Sequence, residues 1–275
     1  MNFFLLISTT WFSFSSGFLY RTLRPSGISR ALKSYYDSSV NTVNQEFDII
    51  CLKKDLKSLI DLSRNENRES EIMEKVKQIE SIASPGTDVT PLYGIWDLIY
   101  SNDDRTRSSP FFWAFRKAFN DSKIQDPLGI LGTNSFAEGI FKITDNIPVK
   151  SIGFARQYIT NGVLVSQVEV KIQRLPIEGR SLMTTTSNWK ITDPENPFMW
   201  EIKVDKTEVK ESTIGKLLPI LEQLARPFPS GQALDLIRPG SSTVWMKHIY
   251  VDDDLRISKN VLDDKYFVFQ REEQS

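Results

Sequence analysis

The sequence has only one cysteine, Cys51, and one histidine, His248, among its 275 residues. One cysteine excludes an internal disulfide and a cysteine-based metal site, and one imidazole excludes a histidine-rich zinc or iron site. The formal net charge of −1 lacks the basic balance expected of a nucleic-acid-binding surface. Glycine-rich phosphate-binding loops are also missing. What remains is a chain of ordinary globular composition that is long enough to bury a sizeable core.

Residues 1–17 have the features of a signal peptide. Phe3–Ile7 form an apolar run, and the small residues Ser15 and Gly17 suit signal-peptidase cleavage before Phe18. The run is short and is followed by serine and threonine residues, which disfavours a membrane-spanning helix. We therefore expect a cleaved leader in this part of the chain.

Residues 18–40 have the composition of a transit peptide. No aspartate or glutamate occurs from Phe18 to Tyr36, whereas arginine and lysine together occur four times. A signal-like segment followed by an acid-free basic segment resembles the two-part address of plastids with additional envelope membranes. The alternative is secretion with a disordered basic spacer, which does not account for the missing acidic residues.

Residues 46–86 are predicted to form a helical hairpin. Apolar residues recur at spacings of three and four in two runs, which are joined by the polar turn SRNENRES and end at SPG. The first apolar stripe contains Ile49, Leu52, Leu56, Leu59 and Ile60. The second contains Ile72, Val76, Ile79 and Ala83.

From Pro91 the apolar period changes from that of helices to that of strands. SQVEVKIQR and FMWEIKVD alternate between apolar and polar residues, and Asn161-Gly162 predicts a tight hairpin. GIWDLIYS alternates as well, with Trp96, Leu98 and Tyr100 on one side. Further strand candidates are 136–144, 152–160, 182–191, 243–251, 255–259 and 265–271.

About nine consecutive strands with one polar face each predict a mainly β fold with antiparallel neighbours. An up-and-down barrel fits this pattern best, because closure removes the edges and places all the apolar faces inside. Barrels of about eight strands are either filled by side chains or hold one small ligand. The strand pattern leaves both alternatives open.

Two stretches of the chain resemble the plastid lipid-associated protein (PAP/fibrillin) family. LYGIWDLIYSND, preceded by KVKQIESI, is similar to the opening of that family's domain, and IYVDDDLRISKNVLDDKYFVFQR is similar to its C-terminal signature. The resemblance covers roughly Glu46 to Arg271. It implies a lipocalin-like antiparallel β-barrel over residues 91–272. It also implies a plastid location at thylakoids or plastoglobules and the binding of lipids such as carotenoids and quinones.

The resemblance implies a structural motif at the base of the barrel as well. Gly94-x-Trp96 looks like the first-strand signature of lipocalins, in which the tryptophan packs against an arginine from a late strand. Arg256 or Arg271 is therefore expected to stack on Trp96 as a cation–π pair.

The acidic run from Asp252 to Asp254 has two interpretations. Its carboxylates suit a hard cation, but the spacing lacks the glycine and the distal glutamate of a calcium loop. A solvated turn with one carboxylate paired to Arg256 is favoured. His248 is interpreted as a hydrogen-bonded barrel residue, because no nucleophile motif accompanies it, and Cys51 as inert. The sequence predicts no metal, no cofactor and no catalytic residue.

A set of residues on the predicted inner faces of the strands forms the candidate ligand-binding site. The alternative for each of them is plain core. The family resemblance favours a pocket, because a lipid carrier needs an apolar cavity with a few polar groups. The set is Leu98, Tyr100, Phe136, Ile140, Phe154, Tyr158, Val168, Val170, Ile172, Trp189, Trp200 and Ile202.

SPFFWAFRKAF, residues 109–119, gathers five aromatic rings just after the first strand. On a helix, Phe112, Phe115 and Phe119 form one stripe. One hypothesis makes this helix a lid, with Trp113 and the adjacent cations contacting a membrane or lipid-globule surface. The alternative is a plug that fills the barrel. Both are left open, because both bury the same stripe.

The sequence thus predicts a non-enzymatic, plastid-targeted protein that sequesters isoprenoid quinones, carotenoids or acyl lipids. The alternative is a structural protein with a filled barrel that coats lipid globules or recruits an isoprenoid-pathway enzyme through residues 46–83. An enzyme on the same barrel is a third alternative, because an internal carboxylate or tyrosine can act without a recognisable motif. Nucleic acid is not an expected partner.

Overall fold

The computed structural model describes residues 47–63, 66–83, 87–119, 150–174, 177–210 and 227–272. Nearly all of these belong to one compact unit, Cys51–Ser275. The predicted leader segments, 1–17 and 18–40, and the strand candidate 136–144 lie outside the described residues.

Four α-helices and eight β-strands are found among the described residues. The helices are α1 over 47–62, α2 Glu69–Ile82, α3 Pro110–Phe119 and α4 Ser230–Ile237. The strands are β1 Gly94–Ser101, β2 Lys150–Thr160, β3 Val163–Arg174, β4 Ile177–Ile191, β5 Met199–Lys210, β6 Thr243–Val251, β7 Leu255–Asn260 and β8 Tyr266–Arg271.

The strands form one ring-like antiparallel sheet. Each strand pairs with the next along the chain, and β8 pairs with β1 to close the ring. The tight turn between β2 and β3 lies at Asn161-Gly162, as the sequence predicts, with Gly162 at a φ of 76°. Closure gives every strand of this sheet a neighbour on both sides. The prediction of a mainly β, antiparallel fold is therefore confirmed.

The inner face of the ring carries the larger of two apolar clusters. Its buried residues include Trp96 of β1, Val168 of β3 and Trp200 of β5. The predicted alternation holds in β5, where Trp200 is buried and Lys203 is exposed. Each large apolar side chain buried in this way contributes about 1.5–3 kcal/mol.

The helical hairpin packs on the outside of the ring. Leu56 of α1 and Ile72 of α2 are fully buried, in one cluster with Leu255 and Ile257 of β7. The predicted helices are confirmed, and their apolar stripes, apart from Ile49, pack on the protein's own sheet.

This packing makes the expectation that all apolar faces point inward wrong for β7. Leu255 and Ile257 point outward to the hairpin, so the alternation turns Arg256 and Ser258 inward, where both are fully buried. The wall of the ring beneath the hairpin is thus buried on both faces.

A short segment after β1 crosses the ring. The 3₁₀ turn Arg105–Ser108 contacts β1, β2 and β3, and α3 contacts β4, β5 and β6. Trp113 of α3 packs against Phe267 of β8, with their ring centres 5.2 Å apart. Phe267 pairs with Ser101, at the end of β1 remote from Trp96. The segment therefore lies at the end of the ring opposite to Trp96.

Candidate functional site

We call the end of the ring that contains Trp96, Arg256 and Arg271 the base. The guanidinium carbon of Arg271 lies 4.2 Å from the centre of the Trp96 ring, and that of Arg256 lies 5.2 Å from it. The indole Nε1 of Trp96 donates a hydrogen bond to the carbonyl of Leu92, at 2.8 Å. The predicted cation–π contact is therefore confirmed, and both candidate arginines make it.

Arg271 also connects the segments that meet at the base. Its Nη1 donates to the carbonyl of Tyr93 at 2.7 Å, and its Nε donates to the carbonyl of Asp253 at 2.6 Å. Gly94 lies directly beneath this guanidinium. Its φ is 127°, and a Cβ added there would lie 2.5 Å from Arg271 Nη1. Both the backbone conformation and the close approach therefore favour glycine at this position.

Stacked aromatic rings continue the inner cluster. Trp189 and Trp200 are parallel, with ring centres 3.7 Å apart, and the rings of Trp200 and His248 form an edge-to-face pair at 4.3 Å. The two indole N–H groups donate to the carbonyls of Thr160 and Pro197. Because this region is buried and aromatic, any polar atom left unpaired in it is costly.

Among the polar side chains buried inside the ring, four form two hydrogen-bonded pairs, and each of the four is at most 1% exposed. They are Gln157, His248, Arg256 and Ser258, and we call them the interior polar cluster. Arg256 Nη2 donates to Gln157 Oε1 at 2.6 Å, and the guanidinium stacks on Phe269 at 4.0 Å. Arg256 Nε, Arg256 Nη1 and Gln157 Nε2 have no hydrogen-bond partner among the described residues. The cluster thus contains several unpaired N–H donors.

The charge of Arg256 is uncompensated by any described residue. Burial, and then repulsion from Arg271, lower the pKa of Arg256 well below its usual range, and no carboxylate among the described residues offsets them. An isolated buried charge destabilises a fold by several kcal/mol. The cluster therefore places a positive charge inside the ring, against the Trp96 and Phe269 rings.

His248 is held neutral by its surroundings. Its Nδ1 lies 2.9 Å from Ser258 Oγ, and its Nε2 has no partner in the described part of the chain. Burial, and then repulsion from Arg256, hold the pKa of His248 well below its usual value. The interpretation of His248 as a buried, hydrogen-bonded residue is confirmed.

The candidate ligand-binding residues that lie in the inner cluster as predicted are Leu98, Val168, Trp189, Trp200 and Ile202. Tyr100 does not join them. The register of β1 against β8 shifts between Leu98 and Tyr100, so Tyr100 packs in the outer cluster. There it lines a surface cleft of about 430 Å³, and burial raises its pKa to about 12.

The predicted inward orientation of Phe154 and Tyr158 is wrong. The buried residues of β2 are their neighbours Ala155, Gln157 and Ile159, and Phe154 is 37% exposed. The register of β2 against β3 shifts just before Ala155, which offsets the alternation.

The side chains of the other four candidate ligand-binding residues are not described. Phe136 and Ile140 lie outside the described residues. For Val170 and Ile172 the structure describes the backbone in β3 but not the side chains.

The aromatic segment is helical as predicted, but it buries a different face. The most buried residues of α3 beside Pro110 are Trp113, Ala114 and Ala118. The predicted stripe of Phe112, Phe115 and Phe119 is only half-buried. Trp113 is 3% exposed, and its Nε1 donates to the carbonyl of Arg107 at 2.8 Å. Trp113 therefore faces the interior, contrary to the lid hypothesis, because the two small alanines let this face approach the core closely.

The cations of α3 bind other parts of the protein. Lys117 Nζ donates to the carbonyls of Gly240 and Thr243, each at 2.8 Å. Arg116 pairs with Asp263 in the turn after β7. These interactions stabilise the position of α3 at its end of the ring.

The acidic run binds α1 instead of the arginine predicted for it. Lys53 Nζ donates to Asp252 at 2.6 Å, and Lys57 pairs with Asp254. The expectation that one of these carboxylates pairs with Arg256 is wrong, because Arg256 points into the ring. Burial alone would raise the pKa of Asp254, but hydrogen bonds from Lys53 and Lys57 outweigh it and hold that pKa far below its usual value.

Sequence reasoning missed Gln157 and Ser258 as site residues. Both occupy the polar half of an alternating strand, which the sequence assigns to the outer face. For Ser258 a usable signal was present, since two amphipathic helices need an apolar surface outside the ring on which to pack.

Within the described ranges, no group of three or more His, Cys, Asp or Glu side chains is arranged to hold a metal ion. None of the helices in that part of the chain is long and apolar enough to cross a bilayer. No protein-family model, curated protein or solved structure matches the chain. The resemblance to the PAP/fibrillin family thus stays a prediction from the sequence.

Proposed function

We propose that this protein is a non-enzymatic carrier that binds one hydrophobic small molecule inside a lipocalin-like β-barrel of the PAP/fibrillin type. The observation that carries the proposal is the interior polar cluster, in which buried unpaired donors lie next to aromatic rings. Ligand sites commonly combine an apolar lining with a few polar groups that orient the ligand.

The mechanism is sequestration. A hydrocarbon tail that buries about 300 Å² of apolar surface gains roughly 7 kcal/mol at about 25 cal/mol/Å², before the costs of association. Leu98, Val168 and Ile202 lie in the apolar cluster that would receive such a tail. Binding of this kind involves no covalent step.

Ligand entry requires a movement at the end opposite to the base. Trp113 is buried there, and α3 is fixed by Lys117 and Arg116. In this proposal, the ligand enters when α3 or a segment beside it moves away from the ring.

The cellular destination in this proposal is the plastid. Its support is the composition of residues 1–17 and 18–40 together with the sequence resemblance. In the plastid, the available ligands are the quinones, carotenoids and acyl lipids of thylakoids or plastoglobules. Imaging of the full chain with a C-terminal fluorescent tag tests the destination, and fluorescence outside plastids contradicts it.

A structural role is the second candidate, and exposed apolar residues of α1 favour it. Phe47, Ile50 and Leu62 are 65%, 64% and 50% exposed. The stripe that includes Leu56 packs on the sheet, so these three residues are the apolar part of α1 that a partner can contact.

Extraction of the natively purified protein separates the two candidates. The full chain is purified without detergent, extracted with organic solvent, and the extract is analysed by mass spectrometry beside that of an unrelated protein. A stoichiometric terpenoid or acyl lipid supports the carrier. A lipid-free extract, together with no binding of added quinone or carotenoid, favours the structural role.

A further inference from the structure

The interior polar cluster has unpaired polar atoms on Arg256, Gln157 and His248. Its unpaired atoms on Arg256 and Gln157 are all N–H donors. Folded proteins rarely leave buried donors without an acceptor. The described residues supply one acceptor to Arg256, the Gln157 side-chain oxygen. The missing group is therefore one that accepts hydrogen bonds.

The two arginines at the base differ in how many of their side-chain nitrogens are hydrogen-bonded. Arg271 donates from Nε, Nη1 and Nη2 to the backbone carbonyls of Asp253, Tyr93 and Pro91. Arg256 stacks on the same Trp96 ring with two of its three nitrogens unpaired. Stacking on Trp96 thus does not account for the unpaired nitrogens, because Arg271 stacks there fully satisfied.

We propose that the ligand is a lipid carboxylate, whose head group binds Arg256 and Gln157 while its hydrocarbon tail lies along the apolar inner face. This inference rests on the function proposed above. A carboxylate offers two acceptor oxygens, and its hydrogen bonds with a guanidinium are charge-assisted. Its single negative charge balances the positive charge of Arg256.

The other ligand classes fit this cluster less well. A carotenoid hydrocarbon accepts no hydrogen bond, and a quinone brings carbonyl acceptors without a charge. A phosphate monoester carries about two negative charges, which exceeds the single positive charge of Arg256. The carboxylate is thus the class that supplies both hydrogen-bond acceptors and a balancing charge.

The test compares palmitate with methyl palmitate on delipidated full-length protein. The ester keeps the tail but removes the negative charge, so its affinity reports the tail alone. We expect palmitate to bind at least about tenfold more tightly, because charge-assisted hydrogen bonds are the stronger kind. Displacement of the neutral dye Nile red measures both affinities, and no variant is needed.

A pair of variants then locates the head group. Arg256→Met keeps an unbranched stem and removes the charge, so we expect it to abolish the preference for the acid while methyl palmitate still binds. Lys259→Met is the matched control. Lys259 belongs to the same strand, but it pairs with Asp264 and contacts the Tyr266 ring in the outer cluster. This control should keep the preference.

The outcomes separate this inference from the function on which it rests. Equal binding of acid and ester overturns the inference and leaves the carrier function intact. A preference for the acid that survives in folded Arg256→Met also overturns it, because the carboxylate then binds elsewhere. If palmitate, methyl palmitate and a short-chain quinone all fail to bind, both the inference and the proposed function are wrong.

Discussion

The guanidinium of Arg271, at the end of β8, stacks 4.2 Å from the ring centre of Trp96, at the start of β1. The two residues are also direct partners in the pairing of the first and last strands. Their contact therefore lies across the seam that closes the ring.

A double-mutant cycle measures what this contact contributes. We expect Trp96→Phe and Arg271→Met each to lower the free energy of unfolding, and the pair to show a coupling of about 1 kcal/mol. Urea unfolding followed by circular dichroism gives the four free energies. Fully additive effects would mean that the stacking contributes nothing to closure.

Gly94→Ala should be more damaging than Gly162→Ala. Both glycines have a positive φ, but an added Cβ meets the guanidinium of Arg271 only at Gly94, whereas nothing lies within 4 Å of it at Gly162. We expect Gly162→Ala to cost about 1 kcal/mol of stability and Gly94→Ala about 1–3 kcal/mol. Thermal unfolding of the two variants checks the order. Equal losses would show that Arg271 moves aside freely.

Leu56→Ala tests whether the hairpin belongs to the core. Leu56 is fully buried among residues of the outer cluster, so we expect a loss of about 2–5 kcal/mol in the free energy of unfolding. Leu62→Ala is the control on the same helix, and its half-exposed side chain should change stability by about 0.5 kcal/mol or less. If both variants lose little unfolding free energy, the packing of Leu56 does not stabilise the fold.

His248 should make stability fall with decreasing pH. Its pKa is lowered in the folded protein, so below about pH 6.5 the unfolded chain binds a proton that the folded chain does not. Stability therefore decreases by up to about 1.4 kcal/mol per pH unit from pH 6.5 towards pH 5.

The matched variant for this effect is His248→Gln, which removes the only histidine of the chain. Its unfolding free energy should depend less on pH between 5 and 7 than that of the parent protein. Parallel pH profiles, or an NMR titration of folded His248 with an ordinary midpoint, would contradict the burial of this ring.

The sequence was most informative where local pattern and local structure agree. Asn161-Gly162 specifies its own turn, and Gly94-x-Trp96 together with a late arginine predicted the contacts at the base. These features depend on few residues, and the strand pairing brings them together without further information.

The prediction of inward-facing residues failed in β7, where the helical hairpin covers the outer face of the sheet. Leu255 and Ile257 alternate with Arg256 and Ser258, and a single-layer argument places the apolar pair inside. The hairpin covers that pair from outside, so the polar residues turn inward. Strand bulges caused the other errors, because one extra residue before Ala155 or Tyr100 changes the face of every residue that follows.

The most direct test of a ligand inside the ring is photo-crosslinking with a palmitate that carries a diazirine on its tail. The full chain is irradiated at one equivalent of lipid, and the adducts are located by peptide mass spectrometry. The account predicts adducts on inner-face residues such as Val168, Trp200 and Phe269, with competition by unlabelled palmitate. Adducts confined to exposed residues such as Phe47 and Leu236 would contradict it.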